Sequence, residues 1–110
     1  MLIVDDSSFN RELLRRILGE SFDILEADGG KEGLKLLKLY GTQISVVLLD
    51  IIMPGMNGFD VLDEMNRELW LDNVPVIMIS ADDSDANIRR AFDLGVTDYI
   101  CRPFDSKVVE

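Results

Sequence analysis

The chain has 110 residues, 47% of them hydrophobic, and its 21 acidic and 11 basic side chains give a formal net charge of −10. This length suits one domain with a single core and excludes two. The negative field repels phosphate backbones and anionic lipids, so we expect no direct binding to nucleic acid or to membranes.

In the first half of the chain, two predicted strands alternate with two predicted helices. In order, these are a short buried strand at Leu2–Val4, a helix whose apolar stripe runs from Phe9 to Leu18 and ends at Gly19, a strand at Phe22–Ala27, and a helix through Leu34–Tyr40 that ends at Gly41. Short apolar or alternating runs predict the strands, and a 3.6-residue period that ends at a glycine predicts the helices.

The second half continues this alternation. Its elements are a strand at Ile44–Asp50, a loop at Met53–Gly58, a helix with Phe59, Leu62, Met65 and Leu69 on one face, a strand at Val74–Ser80, a capped helix with Ile88, Ala91 and Phe92 facing inward, a strand at Val96–Cys101, and the first turns of a helix at Asp105–Glu110. The continuously apolar character of the third and fourth strands indicates a sheet that is covered on both faces.

Five strand–helix repeats predict an α/β fold of the (βα)5 type, a doubly wound five-stranded parallel sheet with helices on both faces. We interpret residues 1–110 as one domain. Because the first strand begins at once and the last helix is truncated at Glu110, we expect this domain to be a fragment of a longer protein.

The numbers of cysteine and histidine residues exclude several kinds of covalent link and catalytic site. Cys101 is the only cysteine, so no internal disulfide can form, and we expect a small buried thiol in its apolar strand. Histidine is absent, which excludes Ser-His-Asp and Cys-His nucleophiles and imidazole metal ligands. Without a signal peptide or an apolar run of membrane-spanning length, the sequence predicts a cytoplasmic protein.

Polar residues stand where four of the predicted strands end. They are Asp5 and Asp6, Asp50, Ser80 and Arg102. Ligands of open parallel sheets bind beyond the carboxyl ends of the strands, so we expect these groups to converge. A lone aspartate is usually a helix cap, but three carboxylates at one edge repel one another unless a cation neutralises them. Mg²⁺, a hard cation with oxygen ligands, suits this set.

A metal that is held by carboxylates leaves room for a phosphate. Asp50 is the candidate nucleophile, because carboxylates can form aspartyl phosphates. Ser80 and Arg102 are candidate donors to the phosphoryl oxygens. The Pro54-Gly55 turn and Gly58 suit a loop that must return to a helix directly after Asp50.

Four stretches together resemble the receiver domain of two-component response regulators, and the resemblance covers essentially the whole chain. They are LIVDDS, VVLLDIIMPGMNGFDVL, PVIMISA and GVTDYICRPF. The resemblance implies the flavodoxin-like strand order 2-1-3-4-5. It also implies a histidine kinase or phosphotransfer protein as phosphoryl donor, an attached output domain, and no enzymatic activity beyond the domain's own phosphorylation and dephosphorylation.

The resemblance implies specific roles for the acidic residues. Asp50 matches the phosphoacceptor, and Asp5 and Asp6 match the acidic pair of the family. Asp6 and Asp50 are then direct ligands of Mg²⁺, and the backbone carbonyl of Ile52 completes the ligands from the protein.

The resemblance also implies a switch. Ser80 matches the hydroxyl that moves toward the phosphoryl group, and Tyr99 matches the aromatic residue whose ring turns inward on activation. The surface of the fourth helix, fifth strand and fifth helix usually carries the output, and it is also the candidate face for a homodimer.

One position departs from the family pattern, which has lysine before the proline of the last strand, where this chain has Arg102. A cis bond to Pro103, as in the family, would aim this cation at the phosphoryl oxygens. Because guanidinium and ammonium differ in reach and geometry, a pseudo-receiver that acts as a phosphorylation-independent interaction module is the alternative hypothesis. A Mg²⁺-dependent phosphatase is a third hypothesis, but it requires a general acid where the chain has Ile52.

Overall fold

The computed structural model describes residues 1–20, 23–68, 74–80 and 84–101. Five strands lie in this part of the chain: β1 (Leu2–Val4), β2 (Leu25–Ala27), β3 (Val47–Asp50), β4 (Val76–Ser80) and β5 (Asp98–Cys101). The helices are α1 (Ser8–Leu18), α2 (Gly30–Tyr40), α3 (Gly58–Arg67) and α4 (Asp85–Asp93), with a short 3-10 helix at Gly41–Gln43. The predicted fifth helix lies outside the described residues.

All strand pairs are parallel, and the order across the sheet is β2-β1-β3-β4-β5. In the register, Val4 pairs with Ala27 on one side and Leu49 on the other, while Asp50 pairs with Ile79. The predicted parallel sheet and its order 2-1-3-4-5 are therefore confirmed.

The core is divided between the two faces of the sheet, because successive side chains of a strand point to opposite faces. On one face, Val4 and Leu49 belong to a large buried cluster that includes Leu62 from α3. On the other face, Ile3 and Leu48 belong to a smaller cluster that includes Leu14 from α1. Helices therefore cover both faces, as the continuously apolar β3 predicts.

The first strand has the predicted bounds, and the other four are shorter than predicted. The third strand begins at Val47 rather than Ile44, the fourth at Val76 rather than Val74, and the second at Leu25. The physical reason is the length of each ladder: β1 pairs with β2 and with β3 over three residues, and β3 pairs with β4 over four, so fewer residues are paired than each apolar run contains.

Two phenylalanines predicted to face inward lie on the surface instead. Phe9 is 75% exposed and Phe92 is 47% exposed. Leu14 and Leu18 form the buried face of α1, and at about 100° per residue Phe9 lies about 140–180° away from them around the helix. In α4 the buried residue is Ala91, and Phe92 is rotated about 100° from it.

Cys101 is exposed, so the prediction of a buried thiol is wrong. β5 is an edge strand, with a paired neighbour on one side only, and the side chains of Asp98 and Cys101 are both exposed.

None of the helices in the described ranges is long and apolar enough to cross a bilayer.

Candidate metal centre

The structure brings three carboxylates together at the carboxyl edge of the sheet. One oxygen from each of Asp5, Asp6 and Asp50 lies within 4.8 Å of the others. β1 and β3 are adjacent and parallel, so acids placed at their ends must meet. Asp5 and Asp50 are 3% and 6% exposed, whereas Asp6 is exposed. The cluster is therefore a buried pair with a third carboxylate at the surface.

Asp5 is held at three points, two on its backbone and one on its side chain. Its amide donates to the carbonyl of Ala27 at 3.1 Å, which extends the β1–β2 ladder by one residue. Its carboxylate Oδ1 accepts from the amide of Ser7 at 2.9 Å, and its carbonyl accepts from Nη1 of Arg11 at 2.6 Å. Ser7 in turn caps α1 by accepting from the amide of Asn10 at 3.3 Å. The start of α1 thus holds Asp5, the first residue of the acidic pair, in place.

The loop after Asp50 closes back on its own strand. The amide of Gly58 donates to the carbonyl of Ile51 at 2.8 Å. A Cβ at position 58 would clash with the Asp50 carbonyl oxygen and lie 2.8 Å from Cα of Ile51, so only glycine fits without a shift. Asn57 and Asp60 form a reciprocal capping box, with both hydrogen bonds at 3.0 Å. The start of α3 is therefore anchored beside Asp50.

Within this loop, Ile52 is the predicted carbonyl ligand. Its side chain is 68% exposed, while those of Ile51 and Met53 on either side are 6% exposed. Gly55 has φ +77, the left-handed region that glycine adopts without strain. This conformation agrees with the predicted Pro54-Gly55 turn, and the exposed Ile52 side chain adds an apolar surface two residues past Asp50.

The predicted switch residues lie on β4 and β5. Ser80 is fully buried at the end of β4, one residue beyond Ile79, the partner of Asp50 in the ladder. Tyr99 is partly buried and packs against the larger core cluster. Ser80 therefore stands at the same edge as Asp50. Arg102, the predicted cation, lies outside the described residues, as does Pro103.

The donor set of the cluster fits a hard divalent cation. Its ligand atoms are carboxylate oxygens, which Mg²⁺ prefers, and two of the three carboxylates are buried, so their mutual repulsion is weakly screened by water. A Mg²⁺ ion bound there would offset the negative charge of the carboxylates. It would also offset the negative charge that develops on a phosphoryl group during transfer. Asp5, Asp6 and Asp50 are the side chains that would hold it.

Sequence reasoning missed Arg11. Its guanidinium reaches the carbonyl of Asp5 and also pairs with Glu26, and no motif in the sequence assigned it a role. A usable signal was its position, since an arginine in the first two turns of the helix after a strand-end acid can reach back to that strand end.

Comparison with known proteins agrees with this geometry. A sequence model of the family described as "Response regulator receiver domain" matches residues 1–110. The chain is 33% identical over 104 residues to two-component response regulator ORR3 of rice, Oryza sativa, covering 94% of this chain and 79% of that protein. It is 34% identical over 103 residues to a probable cyclic di-GMP phosphodiesterase of Vibrio cholerae, covering 94% of this chain but only 23% of that protein.

Among solved structures, the chain is similar to a CheX-CheY-BeF3-Mg²⁺ complex from Borrelia burgdorferi. The TM-score is 0.89 and the identity 35%, covering 98% of this chain and 81% of that chain. Fold, strand order and family match agree, and the chain belongs to the response regulator receiver domain family.

Proposed function

We propose that this domain is an active phospho-acceptor, in which Asp50 takes a phosphoryl group from a histidine kinase or phosphotransfer protein with Mg²⁺ bound at the acidic cluster. The observation that carries the proposal is the convergence of Asp5, Asp6 and Asp50 within 4.8 Å at the carboxyl edge of the sheet. The switch is proposed to act through Ser80 and Tyr99, and the output through an attached domain.

The chemistry assigned to the residues is a nucleophilic displacement. A carboxylate oxygen of Asp50 forms a bond to phosphorus while the phosphorus–nitrogen bond of the donor phosphohistidine breaks, and the electron pair leaves with the imidazole. The hydroxyl of Ser80 is a hydrogen-bond donor for the new phosphoryl oxygens. The domain then catalyses only its own phosphorylation and dephosphorylation.

Two features support an output partner. The Vibrio cholerae relative is more than four times longer than the matched segment, since the match covers 23% of it, and the Borrelia burgdorferi structure holds its receiver with a second protein, CheX. We propose that this domain likewise signals to an attached or separate partner. The face formed by α4, β5 and the helix predicted after β5 is our candidate for that contact and for a homodimer.

The test is incubation with acetyl phosphate and Mg²⁺, read by intact mass. Wild type should gain one phosphoryl group, and both EDTA and Asp50→Asn should abolish the gain. Asp63→Asn is the matched control, because it makes the same change at an exposed aspartate of α3. Labelling that persists in Asp50→Asn on another residue would overturn the assignment of the phosphoacceptor.

The pseudo-receiver hypothesis is supported only by the arginine at position 102. It requires that wild type gain no phosphoryl group under conditions in which a lysine variant does. Membership of the receiver family argues against the third hypothesis, a Mg²⁺-dependent phosphatase.

A further inference from the structure

Arg11 joins the acidic pair to the second strand. Its Nη1 donates to the carbonyl of Asp5 at 2.6 Å, and its Nε donates to Oε1 of Glu26 at 3.0 Å. The side chain is 16% exposed. Both contacts come from one planar guanidinium, so the Asp5 carbonyl and the Glu26 carboxylate are held in a fixed mutual geometry.

The carbonyl that Arg11 contacts belongs to the peptide between Asp5 and Asp6. β1 ends at Val4, so this peptide lies past the regular strand. The side chain of Asp6 is exposed, and packing therefore does little to orient it. The position of the Asp6 carboxylate then depends on the peptide plane from which it projects, and the guanidinium fixes that plane.

Arg11 is itself anchored. Glu26 also accepts two hydrogen bonds from Arg15, from Nε at 3.0 Å and from Nη2 at 2.8 Å. Glu26 is thus held from both sides, and it keeps the Arg11 guanidinium in place. Among the described residues, Arg15 donates to Glu26 and, more weakly, to the carbonyl of Ile24 at 3.4 Å. It resembles Arg11 in charge and in its partner Glu26 but, within this part of the chain, forms no hydrogen bond with the acidic pair.

We propose that Arg11 is a positioning residue for the metal centre: it holds the Asp5–Asp6 peptide so that both carboxylates are preorganised for Mg²⁺. The proposal rests on the proposed function, since it takes Mg²⁺ as the ion of this site. Groups that orient metal ligands typically change metal affinity by about 10–100-fold when they are removed. An arginine that acted only through its charge would have the opposite effect, because removing a cation near the carboxylates strengthens Mg²⁺ binding.

The experiment is a Mg²⁺ titration of the full 110-residue chain, followed by backbone amide shifts around Asp50, with urea unfolding of each variant as a check on folding. Arg11→Gln should weaken Mg²⁺ binding about tenfold. Arg15→Gln removes an equal positive charge that pairs with the same carboxylate, that of Glu26. The Mg²⁺ affinity of this variant should stay within about twofold of that of wild type. Arg11→Lys keeps the charge but cannot reach both partners, and it should lie between wild type and Arg11→Gln.

The outcomes separate this inference from the proposed function. If wild type does not bind Mg²⁺, both are overturned. If wild type binds Mg²⁺ but Arg11→Gln binds it equally or more tightly, the positioning role is overturned while the proposed function stands. Should Arg11→Gln fail to fold, Arg11→Lys tests the positioning role in its place. A Mg²⁺ affinity of Arg11→Lys equal to that of wild type would overturn this role, because it would show that the two simultaneous hydrogen bonds of Arg11, to Asp5 and to Glu26, are not needed.

Discussion

A side chain at Gly58 would crowd the end of the strand that carries Asp50. Beyond the backbone atoms of Asp50 and Ile51, a Cβ there would lie 2.9 Å from Cε of Met78 on β4. The Met78 side chain is flexible and could yield, but the backbone of Asp50 and Ile51 belongs to the strand end that carries the candidate phosphoacceptor. Added volume at Gly58 must therefore displace either that strand end or the start of α3.

We expect Gly58→Ala to lower the free energy of unfolding by about 1–3 kcal/mol, the usual cost of overpacking, and to slow labelling by acetyl phosphate. Gly41→Ala is the matched control, since a Cβ at Gly41 meets nothing within 4 Å and its φ of −47 suits alanine. That variant should be neutral or up to about 1 kcal/mol more stable. Urea unfolding and intact mass measure the two effects. Equal stability of the two variants would contradict the crowding at position 58.

A second prediction at this scale concerns Arg102. Lysine and arginine both supply the positive charge that offsets the acids and the phosphoryl group, so Arg102→Lys should label close to wild type. Arg102→Ala should label well below both, because it removes a charge-assisted hydrogen bond of roughly 1.5–3 kcal/mol. Labelling rates with acetyl phosphate and Mg²⁺ measure this order. If wild type labels no better than Arg102→Ala while Arg102→Lys labels strongly, the pseudo-receiver hypothesis replaces ours.

At the scale of elements, Glu26 ties α1 to β2 through its ion pairs with Arg11 and Arg15. Partial burial raises the pKa of Glu26, but the hydrogen bonds from Arg15 and Arg11 and their positive charges outweigh this effect, so the pKa lies below its ordinary value. A carboxylate whose pKa is lower in the folded than in the unfolded state stabilises the fold above the unfolded pKa. That contribution is lost as the pH falls through the folded pKa.

Glu26→Gln should therefore reduce the free energy of unfolding at neutral pH by about 0.5–1 kcal/mol, the range for partly solvated ion pairs. The difference from wild type should shrink as the pH falls below about 4.5, the ordinary pKa of the side chain. Urea unfolding at pH 7 and at acid pH measures it. Glu12→Gln, which breaks only the exposed pair with Arg16 within α1, is the control and should have a smaller effect. If the free energy of unfolding of Glu26→Gln differs from that of wild type by the same amount at every pH, the result would contradict a lowered pKa of Glu26 in the folded state.

Two contacts connect α3 with α4 and its C-terminal end. The guanidinium of Arg90 lies 4.2 Å from the ring centroid of Phe59, the residue that follows Gly58 at the start of α3. Nδ2 of Asn66 donates to the carbonyl of Leu94 at 2.8 Å. A displacement of the loop after Asp50 can therefore be felt at α4 through α3, in addition to any path through Ser80 and β5.

At the scale of the whole molecule, the acidic cluster and the candidate output face are connected by the sheet. Ser80 pairs with Cys101 and Met78 pairs with Tyr99 in the β4–β5 ladder. A phosphoryl group on Asp50 adds negative charge beside the buried Ser80 hydroxyl. Movement of that hydroxyl would change the packing next to Tyr99, which is only partly buried, and so shift the populations of two arrangements.

We expect beryllofluoride with Mg²⁺ to shift backbone amide resonances in residues 84–101 as well as around Asp50. Ser80→Ala should reduce the amide shifts in α4 and β5, because it removes the hydroxyl that is proposed to link Asp50 to these elements. The shifts near Asp50 should be unchanged. Two-dimensional amide spectra measure both effects, and Asp50→Asn is the control without a response. Shifts confined to the acidic cluster and the loop that follows it would contradict a switch through Ser80 and Tyr99.

The sequence by itself determined the fold class and the edge of the sheet on which the acids lie. Alternating strands and helices require parallel strands, whose carboxyl ends share one edge, so aspartates at the ends of β1 and β3 had to lie on that edge. They meet because β1 and β3 are neighbours in the sheet. The continuously apolar run that ends at Asp50 similarly indicated helices on both faces. The order of the strands did not follow from periodicity and came from the resemblance to receiver domains.

Only the tertiary structure decided which surfaces are covered and which distant groups meet. An apolar residue within a helix need not lie on its buried face: packing selected the face of Leu14 and Leu18 in α1 and that of Ala91 in α4, and Phe9 and Phe92, which are rotated away from these faces, are exposed. Cys101 is exposed because its strand lies at the edge of the sheet. The contact between Arg11 and the Asp5 carbonyl joins a helix to the end of a strand, and no periodic pattern encodes such a contact because it depends on where the two elements are placed in space.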